Sequence, residues 1–356
     1  MNIVILGLSI TSSWGNGHAT TYRGLVRQLA LRGHEVLFLE RDLPWYADNR
    51  DMPHPPGART ELYDSVAALK DRFAAEVRDA DSVIVGSYVP EGIAVGEWVT
   101  SHASGVTAFY DIDTPVTLAK LSNGGADYVS RALIPEYDVY LSFTGGPTLD
   151  RLEREFGARM ARALYCSVDP VQYSPEEADP SWDLGYLGTY SDDRQPSLTQ
   201  LMLEPARGLR DQRFVVAGPQ YPETIAWPRN VERITHLPPR DHRSFYNAQR
   251  YTLNITRKDM IRAGWSPSVR LFEAAACGTP IISDSWDGLE SFFEPGRDIL
   301  IARSARDTEE YLHDVPEEER KAIGARARER VLARHTAAHR AGELESIARE
   351  AQAAGK

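Results

Sequence analysis

The sequence predicts an α/β protein built from two Rossmann-like, doubly wound domains that face each other across a cleft. Apolar strand-like runs alternate with helical stretches in both halves of the chain. The first unit has a strand at residues 2–7, a helix at 19–32 and a strand at 34–39, an order typical of a right-handed crossover. A linker with three prolines, residues 167–182, separates the halves. The length of 356 residues agrees with two domains of about 150 residues each.

The other elements follow from apolar runs bounded by glycine, proline and polar turn residues. A proline-rich and aromatic stretch at 41–59 predicts a long loop that faces a ligand, and the next stretch, 61–78, predicts a helix. Further strands are predicted at 82–86, 105–110, 138–143, 162–166, 184–189, 213–218, 230–236, 251–256, 279–283 and 299–302. An Arg- and Glu-rich run at 317–334 predicts a solvated helix.

Composition indicates a soluble globular protein, with 42% hydrophobic and 26% charged residues. The net charge of −11 disfavours nucleic acid or an anionic membrane as the main ligand. Two distant cysteines, Cys166 and Cys277, indicate neither a disulfide framework nor a metal site and agree with a reducing cytoplasm. We expect no signal peptide and no membrane span, because no apolar run approaches about 18 residues.

A glycine-containing loop follows the first predicted strand. Gly15, Asn16 and Gly17 stand just before His18, where glycines allow backbone amides to approach a phosphate or an acceptor. A dinucleotide fingerprint needs a third glycine that this loop lacks, so the sequence gives little support to an NAD-binding site.

A second candidate site lies where the strand at 105–110 ends. Tyr110 and Asp111 come at the carboxyl end of this strand, where open α/β sheets bind ligands, and Asp113 follows. Asp113 is expected to cap the next helix. The carboxylate of Asp111 has no such structural explanation, and it could bind a metal, act as a base or accept hydrogen bonds from sugar hydroxyls.

The stretch at 264–284 carries the most information about function. Ser266 is predicted to cap a helix with Pro267 at its first position, and Gly278 to end it before a buried strand. Glu273 lies on the second turn of this helix, near an amino terminus whose free amides attract anions. An anion-binding helix start beside a carboxylate that can accept two ribose hydroxyls suits a nucleoside diphosphate, although a capped helix before a strand is common.

This stretch resembles the donor-binding segment of the group 1 glycosyltransferases, in particular the subset named after the spore-maturation protein CgeB. Glu273 stands at the second glutamate of the family's two-glutamate motif, and residues 276–282, Ala-Cys-Gly-Thr-Pro-Ile-Ile, follow in register. Trp265 stands at the first glutamate, a departure from the pattern. Arg32-Gly33-His34-Glu35-Val36 is similar to another family segment, and the resemblance extends over nearly the whole chain.

The resemblance implies the GT-B fold, with an acceptor-binding domain at 1–170, a nucleotide-sugar-binding domain at 171–335 and a C-terminal helix at 336–356 that packs back on the first domain. Arg194 stands at a family lysine and Thr189 at a family arginine, so Arg194 is expected to clamp the diphosphate. The donor-binding candidates are Arg194, Lys258, Arg262, the Ser268 amide, Glu273 and Leu237, with Arg257 as a further cation. The catalytic candidates are Asp111, Tyr110 and His18.

The predicted function is transfer of a sugar from a nucleoside-diphosphate sugar to a hydroxyl or another nucleophile of a small molecule or glycan. The resemblance favours a metal-independent, retaining hexosyltransferase without a cofactor, and the sequence leaves a homodimer open. Two alternatives remain: a nucleotide-sugar epimerase of the same fold and a non-catalytic nucleotide-sugar-binding protein. A Rossmann oxidoreductase comes third because the glycine fingerprint is incomplete.

Overall fold

The computed structural model describes residues 1–15, 17–177 and 179–355. The chain divides into two compact units. Unit 1 comprises Met1–Cys166 and Ala337–Lys356, and unit 2 comprises Ser167–Thr336. Each unit contains one parallel β-sheet, and helices connect most successive strands, as expected for crossover connections.

The sheet of unit 1 has seven strands in the order β3-β2-β1-β4-β5-β6-β7. Its strands are β1 (Asn2–Gly7), β2 (Glu35–Arg41), β3 (Arg59–Tyr63), β4 (Ser82–Gly86), β5 (Val106–Asp111), β6 (Val139–Ser142) and β7 (Ala161–Ala163). Its helices are α1 (His18–Leu31), α2 (Pro44–Ala47), α3 (Val66–Asp79), α4 (Gly92–His102), α5 (Thr114–Ser122), α6 (Pro147–Phe156) and α14 (Ala337–Ala354), with a 3-10 turn at Ile134–Glu136.

The sheet of unit 2 has six strands in the order β10-β9-β8-β11-β12-β13. Its strands are β8 (Trp182–Leu187), β9 (Phe214–Ala217), β10 (Val231–Ile234), β11 (Gln249–Asn254), β12 (Ile281–Ser283) and β13 (Leu300–Ile301). Its helices are α7 (Gln195–Leu198), α8 (Glu204–Gly208), α9 (Pro239–Asn247), α10 (Lys258–Ala263), α11 (Val269–Ala276), α12 (Ala305–Asp314) and α13 (Glu317–Arg334). A π turn joins α7 to α8 at Thr199–Leu203, and a 3-10 turn lies at Leu289–Ser291.

Both sheets reverse their strand order once, between β1 and β4 in unit 1 and between β8 and β11 in unit 2. The predicted pair of doubly wound α/β domains is therefore confirmed. The middle strands are buried on both faces, as their continuous apolar runs indicate. Ligands of such sheets bind outside the carboxyl ends of the strands at the reversal, so these two places are where a site is expected.

Two local predictions were wrong. Arg59–Tyr63 forms edge strand β3, paired with β2, instead of helix, and the helix starts only after Ser65, whose hydroxyl accepts the Ala68 amide at 3.1 Å. Helix α11 begins at Val269 with Ser268 as the N-cap, two residues later than the predicted cap at Ser266. Strand pairing and tertiary contacts outweighed the local preferences in both places.

The C-terminal helix α14 packs against α1 within unit 1. The buried carboxylate of Glu345 accepts hydrogen bonds from Arg32 at 2.6 and 2.8 Å, and one of its oxygens lies 2.6 Å from His34 Nε2. The hydrogen bonds from Arg32 are the largest cause that lowers the pKa of Glu345 to about 2. The Glu345 carboxylate thus connects the C-terminal helix α14 to the segment between α1 and β2.

We expect Glu345→Ala to lower the free energy of unfolding by about 2 kcal/mol, because it removes charged hydrogen bonds and leaves their donors half-buried. The folded-state pKa lies below the ordinary value of 4.5, so this stabilisation is present above pH 4.5 and disappears as the pH falls toward 2. Urea unfolding at pH 7 and pH 3 measures both effects. Glu350→Ala removes an exposed pair with Arg162 on the same helix and should cost under about 1 kcal/mol. An equal loss for the two variants would contradict the assignment.

Candidate functional site

The candidate site of unit 2 lies at the carboxyl ends of β8 and β11, where the strand order reverses. The exits of β8 and β9 touch: a Cβ atom on Gly218 would lie 2.1 Å from the carbonyl oxygen of Gly188, and Gly218 has a φ of +140°. Both requirements favour glycine at position 218. This contact brings the backbones of the two strand exits together, and the Tyr221 hydroxyl donates to the Gly188 carbonyl at 3.0 Å.

A buried arginine lies at this point. Arg270, on the first turn of α11, donates from Nε to the Leu187 carbonyl and from Nη1 to Asn254 Oδ1 at 3.0 Å. Its guanidinium carbon stands 4.9 Å from the centre of the Tyr186 ring. The side chain therefore joins the ends of β8 and β11, and it is only 8% exposed.

Ser268, predicted to offer its amide to a phosphate, belongs to the same network. Its hydroxyl donates to Asn254 Oδ1 at 2.8 Å and does not cap the helix through its side chain. Asn254 in turn donates to Ser283 on the neighbouring strand at 2.9 Å. The start of α11 is thus fixed to the sheet by neutral polar side chains, and the helix amino terminus is held in one position.

Arg194 and the cations after β11 are connected through Asp193. Arg194 donates to the Thr189 carbonyl at 2.6 Å, and its Nε is buried without a hydrogen-bond partner in the part of the chain that the structure describes. Asp193 accepts the Lys258 amide at 3.0 Å and lies 3.7 Å from Arg257 Nε. The loops that follow β8 and β11 are therefore held together beside two cations.

Lys258 and Arg262 line a common cavity of about 350 Å³. Three aspartates, Asp192, Asp193 and Asp259, share this cavity with the cations. Arg262 is 77% exposed and pairs with Asp259, so its charge is largely satisfied on the surface. The structure brings together Lys258, Arg257 and Asp193 but leaves Arg262 at the rim.

Glu273 is buried inside unit 2, with 3% exposure. Tyr246 donates to its Oε2 at 3.0 Å, and His242 Nδ1 lies 3.8 Å from the same oxygen. Burial by itself raises the pKa of Glu273, but the contacts with His242, Tyr173 and Tyr246 outweigh it, so the pKa lies below its ordinary value. The carboxylate is an ionised hydrogen-bond acceptor at neutral pH.

His242 connects two of the predicted donor-binding residues. Its Nε2 lies 3.2 Å from the Leu237 carbonyl, while its Nδ1 faces Glu273 and lies 3.4 Å from the Tyr173 hydroxyl. Sequence reasoning missed His242, because 31 positions separate it from Glu273 and no local pattern marks it. It also left Arg270 without a role, although a charge in the apolar run Val-Arg-Leu-Phe was a usable signal.

Asp111 and Tyr110, the other two catalytic candidates, lie in the interior of unit 1. Their side chains are 0% and 1% exposed. Asp111 accepts hydrogen bonds from Tyr140 at 2.5 Å and Thr117 at 2.9 Å, and burial raises its pKa to about 6. Tyr110 packs edge-on against Tyr22. These residues order the end of β5.

His18 lies at the start of α1, and its ring stacks on Tyr88 with 5.9 Å between centres. The Tyr88 hydroxyl donates to Asp113 Oδ2 at 3.0 Å. Burial lowers the pKa of His18, and Asp113 opposes this effect in part. His18 and Tyr88 thus form a polar aromatic cluster at the carboxyl edge of the first sheet, next to the predicted glycine loop.

The predicted loop itself is only partly described. Gly15 has a φ of +60°, and Gly17 accepts a hydrogen bond from the Thr20 hydroxyl at 2.9 Å. Asn16 lies outside the described residues. The segment before the loop is anchored by the buried carboxylate of Glu40, which accepts the amides of Ile10 and Thr11 at 2.8 and 3.0 Å.

Two searches of the described ranges gave negative findings. No group of three or more His, Cys, Asp or Glu side chains is arranged to hold a metal ion within residues 1–15, 17–177 and 179–355. In those same ranges, no helix combines the length and apolar character needed to cross a bilayer.

We expect Asp111→Asn to preserve folding and to raise the free energy of unfolding at pH 8 by about 1–3 kcal/mol. The folded-state pKa of about 6 lies above the ordinary 3.8, so the wild-type protein loses stability as the pH rises through this interval. The asparagine variant should lack that loss in urea titrations between pH 4 and pH 8. The matched control is Asp138→Asn, because Asp138 is a half-buried carboxylate that accepts the Thr107 amide. This control variant should still lose stability as the pH rises. Strong destabilisation of Asp111→Asn at pH 8 would contradict the assignment.

Comparisons with known proteins agree with the architecture. Residues 194–346 match the sequence model of the family described as glycosyl transferase-like. A search of curated proteins found no match. Sucrose-phosphate synthase from Thermosynechococcus elongatus is similar in structure, with a TM-score of 0.74, 15% identity and coverage of 99% of this chain and 100% of that chain.

Two other solved structures are similar over 98% of this chain and 99% of theirs. Anabaena Alr3699/HepE in complex with UDP-glucose has a TM-score of 0.68 and 11% identity. An alpha-glucosyltransferase in complex with UDP-glucose and DNA containing an abasic site has a TM-score of 0.71 and 13% identity. The chain therefore has the GT-B fold of glycosyltransferases, and the segment of unit 2 that holds Arg194, Arg270 and Glu273 matches the glycosyl transferase-like family.

Proposed function

We propose that this protein is a glycosyltransferase that moves a hexose from a nucleoside-diphosphate sugar to a hydroxyl or another nucleophile. One observation carries the proposal: buried Arg270 and ionised Glu273 both lie on α11, and Arg270 reaches the exit of β8 at Gly188. A cation and a helix amino terminus suit phosphates, and an ionised carboxylate one turn further suits hydroxyl groups. The family match covers the same helix.

The donor is proposed to be a UDP-sugar, with unit 2 as the donor-binding unit. Support comes from the structurally similar Alr3699/HepE and alpha-glucosyltransferase, which were solved with UDP-glucose. Glu273 would accept ribose hydroxyls, and the segment around Leu237, connected to it through His242, would hold the base. The narrower assignment to the CgeB-like subset rests on the run at 276–282.

The proposed chemistry is stabilisation of the leaving diphosphate without a metal ion. Negative charge develops on the diphosphate as the bond to the sugar breaks, and preorganised donors facing that charge lower the barrier. Arg194, Lys258, Arg257 and the amide of Ser268 are the proposed donors. Retention of anomeric configuration belongs to the proposal on the strength of the group 1 resemblance alone.

Unit 1 is proposed to bind the acceptor, with His18, which is only partly buried, as the catalytic candidate. Asp111 and Tyr110 would act through the fold of the strand end. We propose a small-molecule or glycan acceptor, supported by the net charge of −11. Because one similar glucosyltransferase was solved with DNA, DNA is an acceptor that the tests must include. A cytoplasmic location is proposed from the two buried free cysteines.

The alternatives differ in what they would do with the donor. An epimerase would isomerise the nucleotide sugar without an acceptor, and the similar structures named above give it no support. A non-catalytic protein would bind the donor without turnover across a panel of acceptors. The departures at Trp265 and Thr189 remain its main support.

We expect UDP and UDP-glucose, with EDTA present, to raise the melting temperature by about 3–8 °C at concentrations 100-fold above Kd. A ligand that binds only the folded protein must stabilise it. Scanning fluorimetry with UDP, GDP, ADP, their glucose conjugates and NAD measures the effect. No shift with any nucleotide, or a shift with NAD alone, would contradict the proposed function.

We expect Arg194→Ala to lower kcat/KM for the donor by about 10- to 100-fold, because it removes a charged hydrogen bond from the leaving group. Product formation from radiolabelled donor measures this change. The matched control, Arg210→Ala, removes an exposed arginine of the same unit and should leave turnover unchanged. Wild-type turnover in Arg194→Ala would remove Arg194 from the mechanism.

A further inference from the structure

We propose that Arg270 binds the diphosphate of the donor and supplies the positive charge that the group 1 pattern places at position 189. This inference rests on the proposed function, because it concerns the phosphate end of the same donor site. It arises from the contacts that Arg270 makes in this chain.

The first argument is that Arg270 is a buried charge without a carboxylate. Four described arginines are at least nine-tenths buried, and three of them pair with an acid: Arg23 with Asp51, Arg320 with Glu317 and Arg340 with Glu343, at 2.8, 2.8 and 2.7 Å. No carboxylate of the described residues lies within 4.0 Å of the Arg270 guanidinium. Burial of an unpaired charge is costly, so an anion supplied by a ligand explains this position.

The second argument is that the partners of Arg270 are all neutral oxygens. The Leu187 carbonyl, Asn254 Oδ1 and the Ser268 hydroxyl surround the guanidinium. Asp284, the acid whose pKa Arg270 lowers in part, has its two oxygens occupied by the amide and the hydroxyl of Thr256 at 2.7 and 2.8 Å. These contacts orient the guanidinium and leave its charge uncompensated.

The third argument is the position of the remaining nitrogen. A Cβ atom on Gly188 would lie 3.0 Å from Arg270 Nη2 and 2.6 Å from the Tyr186 hydroxyl, so this nitrogen lies at the exit of β8. Thr189, which lacks the charge of the family arginine, comes next in the chain. Arg270 therefore brings a cation from α11 to the place where the expected cation of the β8 exit is missing.

The surroundings of the Arg270 guanidinium also favour the binding of an anion. The Tyr186 ring covers one side of the guanidinium, at 4.9 Å from the guanidinium carbon, and the hydrogen bonds hold the side chain in place. A fixed, poorly solvated guanidinium binds phosphate oxygens more strongly than a mobile surface lysine, because little reorganisation is needed.

The test compares UDP with uridine by calorimetric titration of wild-type protein, Arg270→Met and Arg270→Lys. We expect Arg270→Met to weaken UDP binding by about 30-fold or more and uridine binding by less than about 3-fold. Arg270→Lys should recover part of the UDP affinity. Arg320→Met is the control: it removes a buried, paired arginine of unit 2 and should leave the ratio of UDP to uridine affinity unchanged.

The outcomes separate this inference from the proposed function. Wild-type protein that binds none of UDP, GDP, ADP and their glucose conjugates would overturn the proposed function. Wild-type binding of UDP, retained in Arg270→Met, would overturn only the role of Arg270. Melting temperatures of the ligand-free variants test for a purely structural role. Arg270→Met removes an unpaired charge, whereas Arg320→Met breaks an ion pair, so the melting temperature of Arg270→Met should change less. If Arg270→Met does not fold, Arg270→Lys carries the test, and UDP and uridine affinities reduced equally would contradict the inference.

Discussion

The reversal of strand order between β8 and β11 is the constraint on which the candidate site of unit 2 depends. It opens a gap at the carboxyl edge of the sheet, because the chain leaves β8 toward β9 and leaves β11 toward β12. The backbones of Gly188 and Gly218 approach each other closely at that gap. The amino terminus of α11 is then fixed beside it by the contact of Ser268 with Asn254.

Buried charges at the two sheet edges are satisfied in different ways. Glu40 and Asp111 in unit 1 are surrounded by donors from their own unit, so they hold loops and strand ends. Glu273 in unit 2 is kept ionised by tyrosines and a histidine. Arg270 differs from all of them, because its partners bear no charge. This difference is the reason why a ligand anion is proposed as the partner of Arg270.

The two units share one sheet topology but differ in the side chains at the carboxyl ends of their strands. In unit 1 the acidic groups Glu40 and Asp111 are buried, and His18 and Tyr88 form a partly buried cluster of stacked rings. In unit 2 several cations lie near the strand exits. Asp193, the neighbour of Arg194 in the chain, accepts the Lys258 amide and pairs with Arg257. A division between acceptor and donor binding, as proposed above, agrees with this contrast in chemistry, since phosphates need cations and a neutral acceptor does not.

The sequence by itself determined the architecture, because apolar runs with their bounding glycines and prolines predict parallel strands without any distant contact. It also located the start of α11 to within two residues and identified Glu273 as a carboxylate near it. Only the tertiary structure decided which polar groups are buried. Asp111 and Tyr110 lie in the interior, and Arg262 lies on the surface. His242 lies 3.8 Å from Glu273. These outcomes depend on partners far apart in the chain. A local pattern shows which residue is charged and where it lies along a helix. Whether that side chain is buried, and which partners it has, depends on strands that pair over long separations in the sequence.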